Sequence, residues 1–150
     1  MTNAEEQREV FWKVFEDVLK NNGEPFKIAY IHQITKEITS YAAVNRYGSF
    51  NANAVDLSLH FREEKFRVNI YVSDARLMRK FLDSKEQINH MVTKKLSWDD
   101  GKMVIRPSVY FDFILGNKDS YKTIIEESIP LIIELINVAN SFGKEEFFDF

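Results

Sequence analysis

The chain of 150 residues has no cysteine. That excludes disulfides, thiol catalysis and Cys-ligated zinc, and it makes the cytosol the expected compartment. Only three prolines and five glycines are present, too few for a flexible linker, and no internal repeat or low-complexity stretch occurs. Gly23, Gly48, Gly101, Gly116 and Gly143 all fall between patterned segments, where breakers belong. No apolar run reaches the roughly 18 residues of a membrane span; the longest, around Pro130 to Ile136, is broken by Glu134. The opening MTNAEEQREVFWKVF carries acids early and no apolar h-region, so it does not read as a signal peptide. Charge of one sign is also missing. Twenty basic and 23 acidic residues give a net charge of −3, which argues against a globally basic nucleic-acid binder and leaves room for a local patch.

Chemical motifs are equally scarce. There is no G-x-G-x-x-G, no G-x-x-x-x-G-K-[ST] and no G-x-S-x-G, so dinucleotide, P-loop and serine-hydrolase readings lose their usual support. His32, His60 and His90 form no pair at metal-ligand spacing. The expectation is no catalytic residue, no metal and no cofactor.

What is abundant is core. The chain is 45% hydrophobic and 14% aromatic, with 13 phenylalanines, unlike a disordered sequence. One domain over 1–150 is expected, with 144–150 as an acidic, aromatic tail. A chain of this length buries on the order of 70% of its unfolded surface.

Val10, Phe11, Val14, Phe15 and Val18 recur at helical spacing from about Ala4 to Asn21, and NNG closes that segment. Trp12 lies off the stripe. Ile28, Ile31, Ile34, Ile38 and Tyr41 suit a second helix, although the β-branched content speaks against it. Residues 54–72 alternate instead. Val55, Leu57, Leu59 and Phe61 share one strand face, and Phe66, Val68, Ile70 and Val72 share one face of the next. A bend centred on Glu63 and Glu64 would pair Phe61 with Phe66 and Leu59 with Val68. Ser73 or Asp74 caps a helix running to about Lys95, with Leu77, Met78, Phe81, Ile88, Met91 and Val92 inside. A hairpin around Asp99-Asp100-Gly101 follows. Pro107 in its second strand disfavours a central position. A last helix begins near Asp119 or Ser120, and Pro130 must kink or divide it. The expected fold is α+β, an antiparallel sheet of about four strands with helices packed on one face.

The stretches FWKVF, LHFREEKFRVNIYV, FLDSKEQIN and KLSW, with Trp12 and Trp98 as the most distinctive points, resemble a prokaryotic family of unknown function. Its members often follow PD-(D/E)xK-type nuclease domains and also occur alone. The likeness covers roughly residues 10 to 142. It implies a prokaryotic cytosolic setting and a link to DNA metabolism or defence, and it carries over no catalytic residue.

Glu63-Glu64-Lys65 spells E-x-K downstream of Asp56, the core of such nucleases. In those enzymes the motif lies within a strand, so that Glu and Lys share a face beside the metal. Here it falls on a bend, and at about 3.3 Å per strand residue Asp56 and Glu63 lie about 20 Å apart. The polar sheet face is the better candidate for ligand binding. Asp56, Ser58 and His60 lie on it opposite Tyr71, Asn69 and Arg67. Arg106, Ser108, Tyr110 and Asp112 join if the strand after Gly101 does. Arginine and asparagine interleaved with aromatics can stack bases or grip a peptide, while antiparallel sheets also commonly leave such a face in water. The leading reading is a non-enzymatic binding or accessory module whose partner is protein or nucleic acid, with no membrane contact. The alternatives are a metal-dependent nuclease using Asp56, Glu63 and Lys65, and a structural homo-oligomer with Trp12 and Phe147 as its adhesive. The tail KEEFFDF is expected to fold back onto the helices, because exposed phenylalanines are an aggregation liability; the alternative is a free acidic tail that loosely resembles the tip of bacterial single-strand-binding proteins, its terminal ring filling a partner's apolar pocket while its carboxylate meets a basic rim.

Overall fold

The structure is a computed structural model that describes residues 3–34, 39–47, 53–100 and 103–143. Helix α1 (Asn3–Asn21) is followed by strands β1 (Ile28–Ile34), β2 (Thr39–Tyr47), β3 (Asn53–His60) and β4 (Lys65–Val72). Helices α2 (Ala75–Asp83) and α3 (Lys85–Met91) lead to β5 (Ser97–Asp100), β6 (Ile105–Asp112) and α4 (Lys118–Gly143). The fold is α+β, and every strand pair is antiparallel. The four expected strands β3–β6 are joined by two more, in the order β1-β2-β3-β4-β6-β5.

Those two strands correct the helix expected over Ile28–Tyr41. The isoleucines recur at helical spacing, but Ile and Thr lose χ1 freedom in a helix and pack well on a pleated surface. β2 zips onto β3 through pairs such as Ala42↔Leu57 and Tyr41↔Ser58, and that long-range pairing outweighs the local pattern.

α1 ends as NNG suggests. Gly23, at φ 78°, and Glu24 donate to the carbonyls of Lys20 and Leu19 at 3.1 and 2.9 Å, closing a Schellman motif. Asp74 caps α2, its carboxylate accepting from the amides of Arg76 and Leu77. The single helix expected to Lys95 breaks at Ser84 (φ −101°, ψ 12°), and α3 stops at Val92 in extended conformation. Pro130 interrupts α4 without dividing it.

The proline in β6 gives the clearest departure from strand rules. β6 lies between β4 and β5, an interior position that Pro107 was expected to disfavour. The ladder with β4 runs from Lys65↔Asp112 to Asn69↔Ser108 and resumes at Val72↔Ile105. No pair is bonded at Pro107, which has no N–H to give. On its other side Pro107 pairs with Trp98 of the short β5.

The apolar sheet face and the helices enclose one core. Val55, Leu57, Leu59, Phe66, Val68, Ile70 and Val72 are fully buried. α4 crosses β2, β3, β4 and β6, and α1, α2 and α3 pack beside it. Phe11 holds the centre, its ring 5.1 Å from Phe66, 5.9 Å from Phe113 and 5.4 Å from Tyr121. Trp12 is 3% exposed against Phe11, Phe15 and Phe66. It is a core residue and is not available as the oligomer adhesive for which it was considered. Phe147 and the whole tail 144–150 lie outside the described residues. No helix among the described residues is long and apolar enough to cross a membrane.

Candidate ligand-binding face

The β3–β4 hairpin turns one residue earlier on each strand than the alternation suggested. Its turn is Phe61–Glu64, the closing pair is His60↔Lys65, and Leu59 faces Phe66. The shift is even, so every side chain keeps its face. The opposing pairs change: Ser58 lies opposite Arg67 and Asp56 opposite Asn69, while His60 faces Lys65 in place of Arg67. On the far side of β4, Arg67 pairs with Tyr110 and Asn69 with Ser108. By this register Asp56, Ser58, His60, Arg67, Asn69, Tyr71, Arg106 and Tyr110 share the side of the sheet away from the helices.

The E-x-K turn has a structural explanation. Glu64 takes a positive φ of 51°, and its amide donates to the Phe61 carbonyl at 3.1 Å. Its own carbonyl accepts from Phe113 N, and its carboxylate accepts from Leu115 N at 2.9 Å. It thereby ties the turn to the segment before α4. Lys65 is bound to Asp112 at 2.6 Å. That hydrogen bond and the Asp112 charge raise the Lys65 pKa, so the ammonium stays protonated and cannot serve as a base. Asp56 is four residues from His60 on β3, about 13 Å along the strand, with Glu63 beyond it. No group of three or more His, Asp or Glu capable of holding a metal occurs among the described residues.

Three small polar residues form the floor of the face: Ser58, Asn69 and Ser108 are all 0% exposed. Ser108 Oγ donates to the Arg106 carbonyl at 2.7 Å. Arg67, half-buried, covers the other two. Its Nε donates to Asn69 Oδ1 and a terminal N–H to Ser58 Oγ, both at 3.1 Å. Arginine has only donors, so its contact fixes which end of the Asn69 amide is oxygen. Asn69 Nδ2 is then a buried donor without a partner among the described residues, a situation that costs about 1–3 kcal/mol.

Arg67 differs from Lys65 on the face. Lys65 has Asp112, and the Arg106 guanidinium lies 5.2 Å from the centre of the Tyr71 ring. The described ion pairs do not include Arg67; both of its hydrogen bonds go to neutral oxygens. Its charge acts on His60, whose pKa is lowered, first by burial and then by Arg67, with Glu63 opposing. His60 is therefore neutral at pH 7. Tyr110, 43% exposed, stands beside Arg67 across the β4–β6 pairing. The alternation in the sequence marks this face but gives no sign that its floor is buried or that Lys65 and Asp112 pair across it. Both depend on β6 docking against β4, which joins residues 47 apart in the chain.

Comparison with family models, with curated proteins and with solved structures finds no match for the chain.

Proposed function

We propose that this chain is a prokaryotic, cytosolic, non-enzymatic binding module whose polar sheet face takes single-stranded nucleic acid. One observation carries the reading: Arg67 holds a positive charge on that face with no carboxylate bound to it among the described residues. A half-buried cation of this kind attracts an anion. Tyr110 and the Tyr71–Arg106 pair flank it, and aromatic rings beside arginine suit stacked bases. The sequence resemblance to a family found behind nuclease domains points towards DNA metabolism or defence. The net charge of −3 makes binding weak and confined to the local patch.

The test is fluorescence anisotropy of a labelled single-stranded oligonucleotide at rising salt. Wild type binds at low salt. Arg67→Ala and Tyr110→Ala both weaken binding, but only the arginine change flattens the salt dependence, by about 0.7 in the log–log slope for one lost phosphate contact. No binding by wild type at low salt would remove the reading.

A further inference from the structure

Arg67, Asn69 and Ser58 are the part of the face most committed to one kind of ligand. We infer that they form a seat for a single tetrahedral oxyanion, a phosphate group gripped by the outer N–H groups of Arg67, which Asn69 and Ser58 hold in place from beneath. The inference deepens the strand-binding reading by naming the group of the strand that is held.

Two independent observations lead to it. The first is the arginine. Its Nε and one terminal N–H are anchored to Asn69 Oδ1 and Ser58 Oγ at 3.1 Å, so the planar fork is held in place before any ligand arrives. The remaining N–H groups have no partner among the described contacts. A fixed guanidinium fork with open donors matches the geometry of phosphate oxygens. The second is Asn69, fully buried, whose Nδ2 lacks an acceptor. The amide that steadies Arg67 through its oxygen carries this donor on the same carbon. Arg67 covers this donor, so the amide acts as a positioning group beneath the guanidinium and its Nδ2 reports on the guanidinium above it. Ser58 and Asn69 are neutral, so they orient the guanidinium without cancelling its charge. A structural arginine is more commonly matched with a carboxylate, as Lys65 is with Asp112 on the same strand.

The charge logic gives a sharp test. Asn69→Asp puts a carboxylate where Oδ1 accepts from Arg67, so the arginine acquires an internal anion and loses its need for an external one. Arg67→Gln retains an amide donor for its neighbours and removes the charge. Each protein is titrated with inorganic phosphate, against sodium chloride at matched ionic strength, while the side-chain resonances of Arg67 Nε and Asn69 Nδ2 are followed by NMR. In wild type both resonances are expected to move, saturably, with phosphate and not with chloride. The Arg67 Nε response should vanish in Asn69→Asp, and the Asn69 Nδ2 response in Arg67→Gln. If Asn69→Asp does not fold, Arg67→Gln alone decides. Absence of a response in wild type, or an undiminished one in either folded variant, overturns the seat. Phosphate binding without oligonucleotide binding keeps the seat and removes the strand reading. A stronger response to a glutamate-rich peptide than to phosphate or the oligonucleotide removes the strand reading and overturns the phosphate seat in favour of a carboxylate from a protein partner. Oligonucleotide binding unchanged in both variants removes the seat and, with it, the strand reading that rests on the Arg67 charge.

Discussion

On one side of β4, Phe66, Val68, Ile70 and Val72 are fully buried; on the other, one residue away, Asn69 is buried just as completely. The first set lies in the helix-covered core, with the Phe66 ring 5.1 Å from Phe11 of α1 and 6.4 Å from Phe111 of β6. Among the described hydrogen bonds, Ser58 and Asn69 accept from Arg67 of β4, and Ser108 donates to the Arg106 carbonyl within β6. Equal burial therefore reflects different energetics. Beneath the helices, apolar area leaves water and packing adds dispersion contacts. On the far face, hydrogen bonds to water are exchanged for hydrogen bonds within the protein, with a small net gain and one donor left over. The apolar face holds the fold.

The largest effect should come from the first face. Phe66→Ala is expected to cost about 3–5 kcal/mol, as large-to-small changes in aromatic cores do. Urea denaturation monitored by circular dichroism measures it. Asn69→Ala, three residues along β4 and equally buried, should cost about 1 kcal/mol or less. It removes one bond to Arg67 and also removes the unpartnered amide. A cost for Asn69→Ala equal to that of Phe66→Ala would break the comparison and make the polar face a second core.

The two faces were also unequally legible in the sequence. Strict alternation from Val55 to Val72 identified the β3–β4 hairpin and assigned each residue to its face, because a period of two is strong evidence when one side is apolar. It missed the register by one residue on each strand, since the positive φ at Glu64 and the bonds from Phe113 and Leu115 that fix the turn come from distant chain. Ile28 to Tyr41 failed for the reverse reason. Its isoleucines fit a helical period, and only the pairing partner β3 selects strand. Pro107 was taken to disfavour an interior position, yet β6 is interior, because a ladder can skip a rung. The eight polar-face residues were identifiable by alternation. The uncompensated charge of Arg67 was not, since it depends on which carboxylates its neighbours acquire.

A smaller effect tests the polar face through pH. The folded pKa of His60 is lowered by burial and by Arg67. The unfolded chain takes up a proton near the ordinary value of 6.5 that the folded chain refuses. Stability is therefore full above about pH 6.5, falls as pH drops through 6.5 towards the depressed folded value, and levels off below it. His60→Asn should flatten that part of the curve of melting temperature against pH. Arg67→Gln should flatten it partly, because burial, the larger cause, remains. An unchanged profile in His60→Asn would mean that folding does not shift the His60 pKa, and an unchanged one in Arg67→Gln that Arg67 takes no part in the shift.

The smallest effect is expected two residues from Arg67. Lys65 and Asp112 form the shortest described ion pair, 2.6 Å, yet their side chains are 43% and 81% exposed. Water and salt screen such a pair, and holding two long side chains together offsets the attraction. Lys65→Met should leave the urea midpoint within experimental scatter, at low salt as at high. It should also leave the salt dependence of oligonucleotide binding nearly unchanged, because the Lys65 charge is already balanced by Asp112. Arg67, on the same strand and face, has no such balance, and its removal should flatten that dependence. The two cations thus provide a paired control in which charge and strand are shared and the local anion differs. Equal loss of salt dependence in Lys65→Met and Arg67→Ala would show that the face attracts its ligand by total charge, and the special standing of Arg67 would be lost.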